Sequence, residues 1–367
     1  MTDNIDAKAP PPGTSSVDQS RFQRIAITLG ALLVAQLGTF IPLPGLDSEA
    51  VALLYQAGAS SLPIPRLSVC ALGVSPIFSA LILAEVLMLI NSSKRRLPVD
   101  AATRETFNRG ILIAALFFTA LQALGIAAGL EGVPRMVVEP GVLFRTSCIL
   151  SMVAATAFLA WLASLITRHG LGSGFWILLL TPTVASTIKT ATTMKAAADI
   201  GLLPFELLVL PLGLFAAVVV ALVALERANP GLAASGSTIW PIVLATTFAS
   251  WLVLPALVYL SPEQMQGSIS KLKPQHYVSF VAFGLLVPVF SLWRTQSVRE
   301  AGVGSGAVNT PLMIATMLAA IMISTEYAIA KTGVYELPGG ELQVMVVAVA
   351  LCTLQALRAS KTKAAPV

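Results

Sequence analysis

From residue 25 onward the sequence is a succession of ten apolar runs separated by short polar connections. They occupy residues 25–41, 70–91, 109–130, 143–166, 172–190, 203–225, 239–260, 277–293, 308–330 and 341–357. About 20 apolar residues coiled as an α-helix cross the hydrocarbon core of a bilayer, and only a helix or a closed barrel satisfies its own backbone there. Barrel strands would alternate in polarity over about 10 residues, whereas these runs are unbroken. The expected fold class is therefore an all-α integral membrane protein with ten transmembrane helices. Composition agrees: only 11% of the 367 residues are charged, against about 25% in a soluble domain. A water-soluble enzyme and a disordered polymer are excluded as readings of the whole chain.

The connections set the topology. With the N-terminus inside, fifteen of the 23 Lys and Arg residues fall on the cytosolic side and eight on the outer side. That excess places both termini in the cytoplasm, which requires an even number of spans. Residues 1–20, polar and rich in Pro and Ser, read as a disordered cytosolic tail and not as a signal peptide. The spans divide into a first five-helix half over 21–190, an external connection over 191–202, and a second half over 203–358, with a short cytosolic tail over 359–367. Five spans per half make the halves inverted with respect to each other, an arrangement that puts a path at their interface near the midplane. Pro76, Pro182, Pro241, Pro255 and Pro288 interrupt several spans, which suits a bundle around a cavity.

Other chemistries find little support. The net charge of +5 comes without a basic block or a nucleic-acid-binding signature, so nucleic acid is not an expected partner. Cys70, Cys148 and Cys352 lie in or beside apolar runs and read as packing residues, and His169 and His276 have no acidic or Cys neighbour at ligand spacing. No metal, cofactor or catalytic residue is expected. Gly170, Gly172 and Gly174 have neither a preceding strand nor a P-loop Lys, so they read as the tight turn between the fourth and fifth spans and not as a phosphate loop.

Five collinear blocks carry a family resemblance. RFQRIAITLGALLVAQLGTFIPLPGLD (21–47), RLSVCALGVSPIFSALILAEVLMLI (66–90), LITRHGLGSGFWILLL (165–180), TIWPIVLATTFASWLVLPA (238–256) and GGELQVMVVAVALCTLQAL (339–357) resemble the first, second, fifth, seventh and tenth spans of SecY, the bacterial protein-conducting channel. The resemblance implies a SecY-like fold and a passive polypeptide channel or insertase core in the bacterial inner membrane. It would be partnered by a SecE-like small membrane subunit, open laterally to the lipid bilayer, and act on unfolded polypeptides. The loops that dock SecA or the ribosome in the family are shortened here to 226–239 and 294–307, leaving Arg227, Arg294 and Arg299 as docking candidates and implying weak or absent coupling to either partner. The segment 48–65 is short for the family's plug helix, so the chain looks like a divergent SecY-related paralogue.

By the same resemblance the pore ring falls on Val74, Phe78, Phe175, Leu179, Val243 and Met345. A ring of apolar side chains dewets when empty and fits around a passing chain without specific hydrogen bonds. Plain helix packing would also make these positions apolar, and Phe78, Phe175 and Met345 stand where the family has aliphatic residues, which leaves the aperture's width open. Glu85 stands amid an apolar stretch where the family usually has Gln. Two readings of it remain: a lateral-gate contact with Thr246, Thr247 or Ser250, or a carboxylate snorkelling toward Lys94 or Arg95. Glu85 also sustains the alternative of an ion-coupled small-molecule transporter. A non-conducting membrane scaffold is the third reading.

Overall fold

In the computed structural model, described residues are 21–49, 51–52, 67–90, 101–182, 184, 192, 195, 206–228, 239–248, 283–293, 315–324, 327, 344–351 and 353–354. They form ten principal helices: α1 (Arg21–Gly38), α2 (Ser75–Ile90), α3 (Ala101–Glu131), α4 (Val142–His169), α5 (174–182), α6 (Glu206–Ala228), α7 (240–248), α8 (Phe283–Trp293), α9 (Ala315–Ser324) and α10 (344–351). Two isolated antiparallel bridges, Pro42 to Ser68 and Leu46 to Val137, are the β structure among the described residues. They tie the loop after α1 to the approaches of α2 and α4. The tails 1–20 and 359–367, the segment 53–65, and most of 191–202, 229–238 and 294–307 lie outside the described residues.

Why α3 and α4 pair is visible in their side chains. Ala115, Thr119, Ala123 and Ala127 recur every fourth residue and are all fully buried. A stripe of small residues lets two helix backbones approach in an apolar medium, where burial from water no longer drives association. The Thr119 hydroxyl donates to the Ala115 carbonyl at 2.8 Å, so the stripe's one polar group is satisfied within its own helix. From α4, Phe144, Cys148 and Met152 fill the cluster with Ala123 and Ala127. The opposite faces are apolar but exposed, with Ile113 and Phe117 on α3 and Leu150 and Trp161 on α4, as lipid-facing surfaces are. Thr106–Glu131 and Val142–His169 are each long and apolar enough to cross a membrane. At one end of this pair, Glu131 accepts from Arg145 Nε at 2.7 Å and from the Gly141 N–H at 2.8 Å, closing the hairpin.

Two larger clusters organise the rest. Ala31, Ile77, Ala80, Ala115, Leu159 and Ile166 join α1 through α4. The second draws Val218 and Leu222 from α6, Ile242 from α7, Val287 from α8, Leu318 from α9 and Val344 from α10, and Ile82 and Val86 of α2 pack against it. Thus α2 is shared between the two assemblies. The chain is an all-α integral membrane protein.

The prolines act less disruptively than the sequence suggests. Pro76 and Pro241 each lie in the first turn of a helix, where a missing N–H leaves no ladder bond unmade. Pro182 ends the described stretch of α5, Pro288 lies inside α8, and Pro255 is outside the described residues. The run at 70–91 also becomes helical only at Ser75, because residues 70–73 turn, with Gly73 at φ 53.

Candidate functional site

The sequence-derived ring positions fall in two adjoining clusters on α2, α5, α7 and α10. The Phe78 N–H donates to the Val74 carbonyl at 3.0 Å, so these two share one face of α2, a turn apart. Phe175 and Leu179 share a face of α5 by the same spacing. Val74, Phe175 and Leu179 belong to the cluster built on α1 through α5. Phe78, Val243 and Met345 belong to the adjoining cluster with Leu180, Trp240 and Ala348. A stacked contact between Phe78 and Phe175, with centroids 6.4 Å apart and planes at 23°, joins the two.

Two tryptophans that the sequence reading did not single out complete the junction. Trp176 meets Phe175 at 5.0 Å, Phe78 at 6.3 Å and Trp240 at 5.7 Å, each edge-to-face. The rings therefore run continuously from α5 through α2 to α7. Aromatic pairs in this geometry contribute about 1 kcal/mol each beyond their burial. The signal available in the sequence was the dipeptide Phe175–Trp176 opening one span and Trp240 opening another, in a chain only 7% aromatic.

The entry to α5 fixes where Phe175 and Trp176 stand. Gly170 closes α4, donating its N–H to the Ile166 carbonyl at 2.7 Å, and Gly172 turns the chain at φ 68. The Leu171 N–H donates to Thr28 Oγ1 of α1 at 3.0 Å, and the Gly174 N–H donates to Thr167 Oγ1 at 2.9 Å. A Cβ at Gly174 would run into the Ala163 carbonyl oxygen, so a residue without a side chain lets α5 start flush against α4.

Beyond Val74 and Leu179, toward the C-terminal ends of α1 and α5, lies an open cavity of about 460 Å³. Gln36, Thr39, Ser75 and Thr181 give its lining a polar fringe. The hydroxyls are engaged with their own helices, Thr39 with the Gln36 carbonyl at 2.7 Å and Thr181 with the Ile177 carbonyl at 2.6 Å. The arrangement is an open recess with a polar fringe, floored by apolar side chains such as Val74 and Leu179.

The gate candidates are placed less completely. Glu85 is only 5% exposed, and its neighbours Ile82 and Val86 pack against the α6–α10 cluster. Thr246 donates to the Ile242 carbonyl at 2.9 Å and Thr247 to the Val243 carbonyl at 2.7 Å, both half-buried. Ser250, Lys94 and Arg95 lie outside the described residues. Of the docking candidates, Arg227 is exposed in the last turn of α6, while Arg294 and Arg299 lie outside the described residues. Among the described residues no group of three His, Cys, Asp or Glu side chains could hold a metal.

The comparisons with known proteins agree with this geometry. The family model for SecY matches residues 68–292. The chain is 31% identical over 226 residues to the protein translocase subunit SecY of Buchnera aphidicola subsp. Acyrthosiphon kondoi, covering 56% of this chain and 62% of that one. It is 30% identical over 190 residues to the Escherichia coli K12 subunit, covering 46% and 43%. The matched region thus spans about two-fifths to three-fifths of these relatives' own length. Among solved structures, Sec61 of the canine ribosome-channel complex from the endoplasmic reticulum superposes with a TM-score of 0.61 at 12% identity, covering 96% of both chains. A SecY translocation channel, whose plug domain stabilises its closed state, gives 0.60 at 14% identity over 96% of both chains. The fold is that of these channels.

Proposed function

Because the chain belongs to the SecY family, we propose that it is a polypeptide-conducting channel or insertase core, passing unfolded chains across the membrane or releasing apolar segments sideways into lipid. The observation that carries the reading is the apolar closure from α2, α5, α7 and α10, with the 460 Å³ recess on one side of it. Such a closure excludes ions by dewetting, and it admits varied side chains because it asks for no particular hydrogen bond. It is no enzyme. Val74, Phe78, Phe175, Leu179, Val243 and Met345 would form the constriction, and Glu85, Thr246, Thr247 and Ser250 the polar contacts along the side opening. The buried setting of Glu85 supports the gate reading over a carboxylate reaching for solvent.

The same reading supplies the surroundings. The chain would reside in a bacterial inner membrane with both termini in the cytoplasm, as the Lys and Arg asymmetry indicates. The divisions 1–20, 21–190, 191–202, 203–358 and 359–367 would be tail, first half, external connection, second half and tail. A SecE-like subunit would clamp the halves, and the short loops around Arg227, Arg294 and Arg299 would couple weakly, if at all, to SecA or the ribosome. Site-specific photocrosslinking from Val243 in native membranes tests the function, with Ser235 in a loop as control. Polypeptide adducts at Val243 that require ongoing synthesis are the expected result. Their absence despite normal membrane levels would overturn the reading in favour of a transporter or scaffold, and loss of proton-coupled uptake in Glu85→Gln would identify the transporter.

A further inference from the structure

The recess of about 460 Å³ has the build of a small-ligand site. Such sites hold roughly 300–1,000 Å³ and are mostly apolar, with a few polar groups that fix orientation. Leu32 and Ala35 of α1, Leu159 of α4 and Leu178 of α5 supply the apolar wall. The chain turns over residues 70–73 before α2 begins, and the small side chains of Cys70 and Ala71 border the space. Cys70 is half-buried there, with its Sγ seated where a Cβ on Gly38 would fall.

The polar fringe narrows the chemistry of an occupant. The Thr181 hydroxyl donates to the Ile177 carbonyl at 2.6 Å and the Thr39 hydroxyl to the Gln36 carbonyl at 2.7 Å. Both spend their protons on their own helices, so toward the recess they are acceptors. Among the described residues no Asp, Glu, Lys or Arg lines the space. A charged head would enter it unpaired, at a high desolvation cost, whereas a neutral donor finds waiting oxygens. We propose that the recess between α1, α4, α5 and the entry to α2 binds a single-chain amphiphile with an uncharged hydroxyl head. The chain lies on Leu32, Ala35, Leu159 and Leu178, and the head donates at the Thr39–Thr181 rim. Binding there does not depend on the channel reading.

Cys70 makes the proposal measurable in full-length protein in native membranes, with n-dodecanol as the probe. Alkylation by N-ethylmaleimide is read peptide by peptide, and fully buried Cys148 reports that the fold is intact. At about ten times its Kd, dodecanol should slow Cys70 alkylation about tenfold, as mass action requires. Dodecane and dodecyltrimethylammonium should not protect. Ala35→Phe, which fills the recess, should abolish protection, and the milder Thr181→Val should weaken binding about three- to tenfold through loss of one acceptor. A diazirine-bearing dodecanol should label residues 32–39 and 178–182. Equal protection by dodecane, or protection undiminished in Ala35→Phe, would overturn the site and leave partition into the bilayer only. Labelling confined to the lipid-facing side of α4, around Leu150 and Trp161, would overturn it as well, whatever the reactivity of Cys70.

Discussion

One helical turn separates two tiers of the proposed constriction that pack differently. Val74 and Leu179 border an open recess of about 460 Å³. Phe78 and Phe175, four residues along the same helices, stack on each other and against Trp176. The backbone positions are equivalent, since α2 and α5 supply both tiers. Side-chain size differs between the tiers: the aliphatic one borders the recess, and the aromatic one is in ring contact.

That contrast can be broken most severely from the aromatic tier. Phe78→Asn puts an amide in the floor, where water then has a partner, and the resting ion leak in reconstituted vesicles should rise roughly tenfold or more. A leak unchanged from wild type would show that the seal lies elsewhere. Gly174→Ala attacks the same tier from behind by pushing α5 off the Ala163 carbonyl. Overpacking of this kind destabilises by about 1–3 kcal/mol, so the thermal midpoint in detergent should fall and the leak should rise with it. A full-strength seal in this variant would mean that α5 does not need its seat on α4.

Smaller effects sharpen the comparison. Thr28→Val removes the acceptor that holds the Leu171 N–H and should lower stability by about 1 kcal/mol, with little leak, as measured by denaturant unfolding in micelles. Val74→Thr changes the tier that is already open, so its leak should stay within about twofold of wild type. If it leaks as much as Phe78→Asn, the two tiers form one barrier. Glu85→Gln belongs to neither tier, and adduct yields from Val243 should be unaltered.

How much of this was legible in the sequence differs from one element to the next. The ten apolar runs gave the class of fold, and the spacing of Ala115, Thr119, Ala123 and Ala127 is a pattern that any reader of small-residue stripes can find. The ring positions on α2, α5, α7 and α10 followed from the family resemblance, and the structure gathers these helices at one junction. Trp176 and Trp240 escaped because a helix apolar on every face carries no polar stripe to say which way it is turned. Whether Trp176 faces lipid or the junction depends on the rotation of α5, and that is set by a turn whose key residues are Thr28, Thr167 and Gly174, distant from one another in sequence. The prolines misled for a related reason: Pro76 and Pro241 read as interruptions of long runs, but the helices begin beside them.

The most direct measurement is photocrosslinking from position 78 while a secreted chain is arrested in passage by a tightly folded C-terminal domain. Leu150, 68% exposed on the outer face of α4, serves as the control position. Passage through the aromatic tier predicts strong adducts to the arrested chain at 78 and none at 150. Adducts at 150 equal to those at 78, or none at 78 with the chain demonstrably arrested, would contradict a polypeptide path through this constriction.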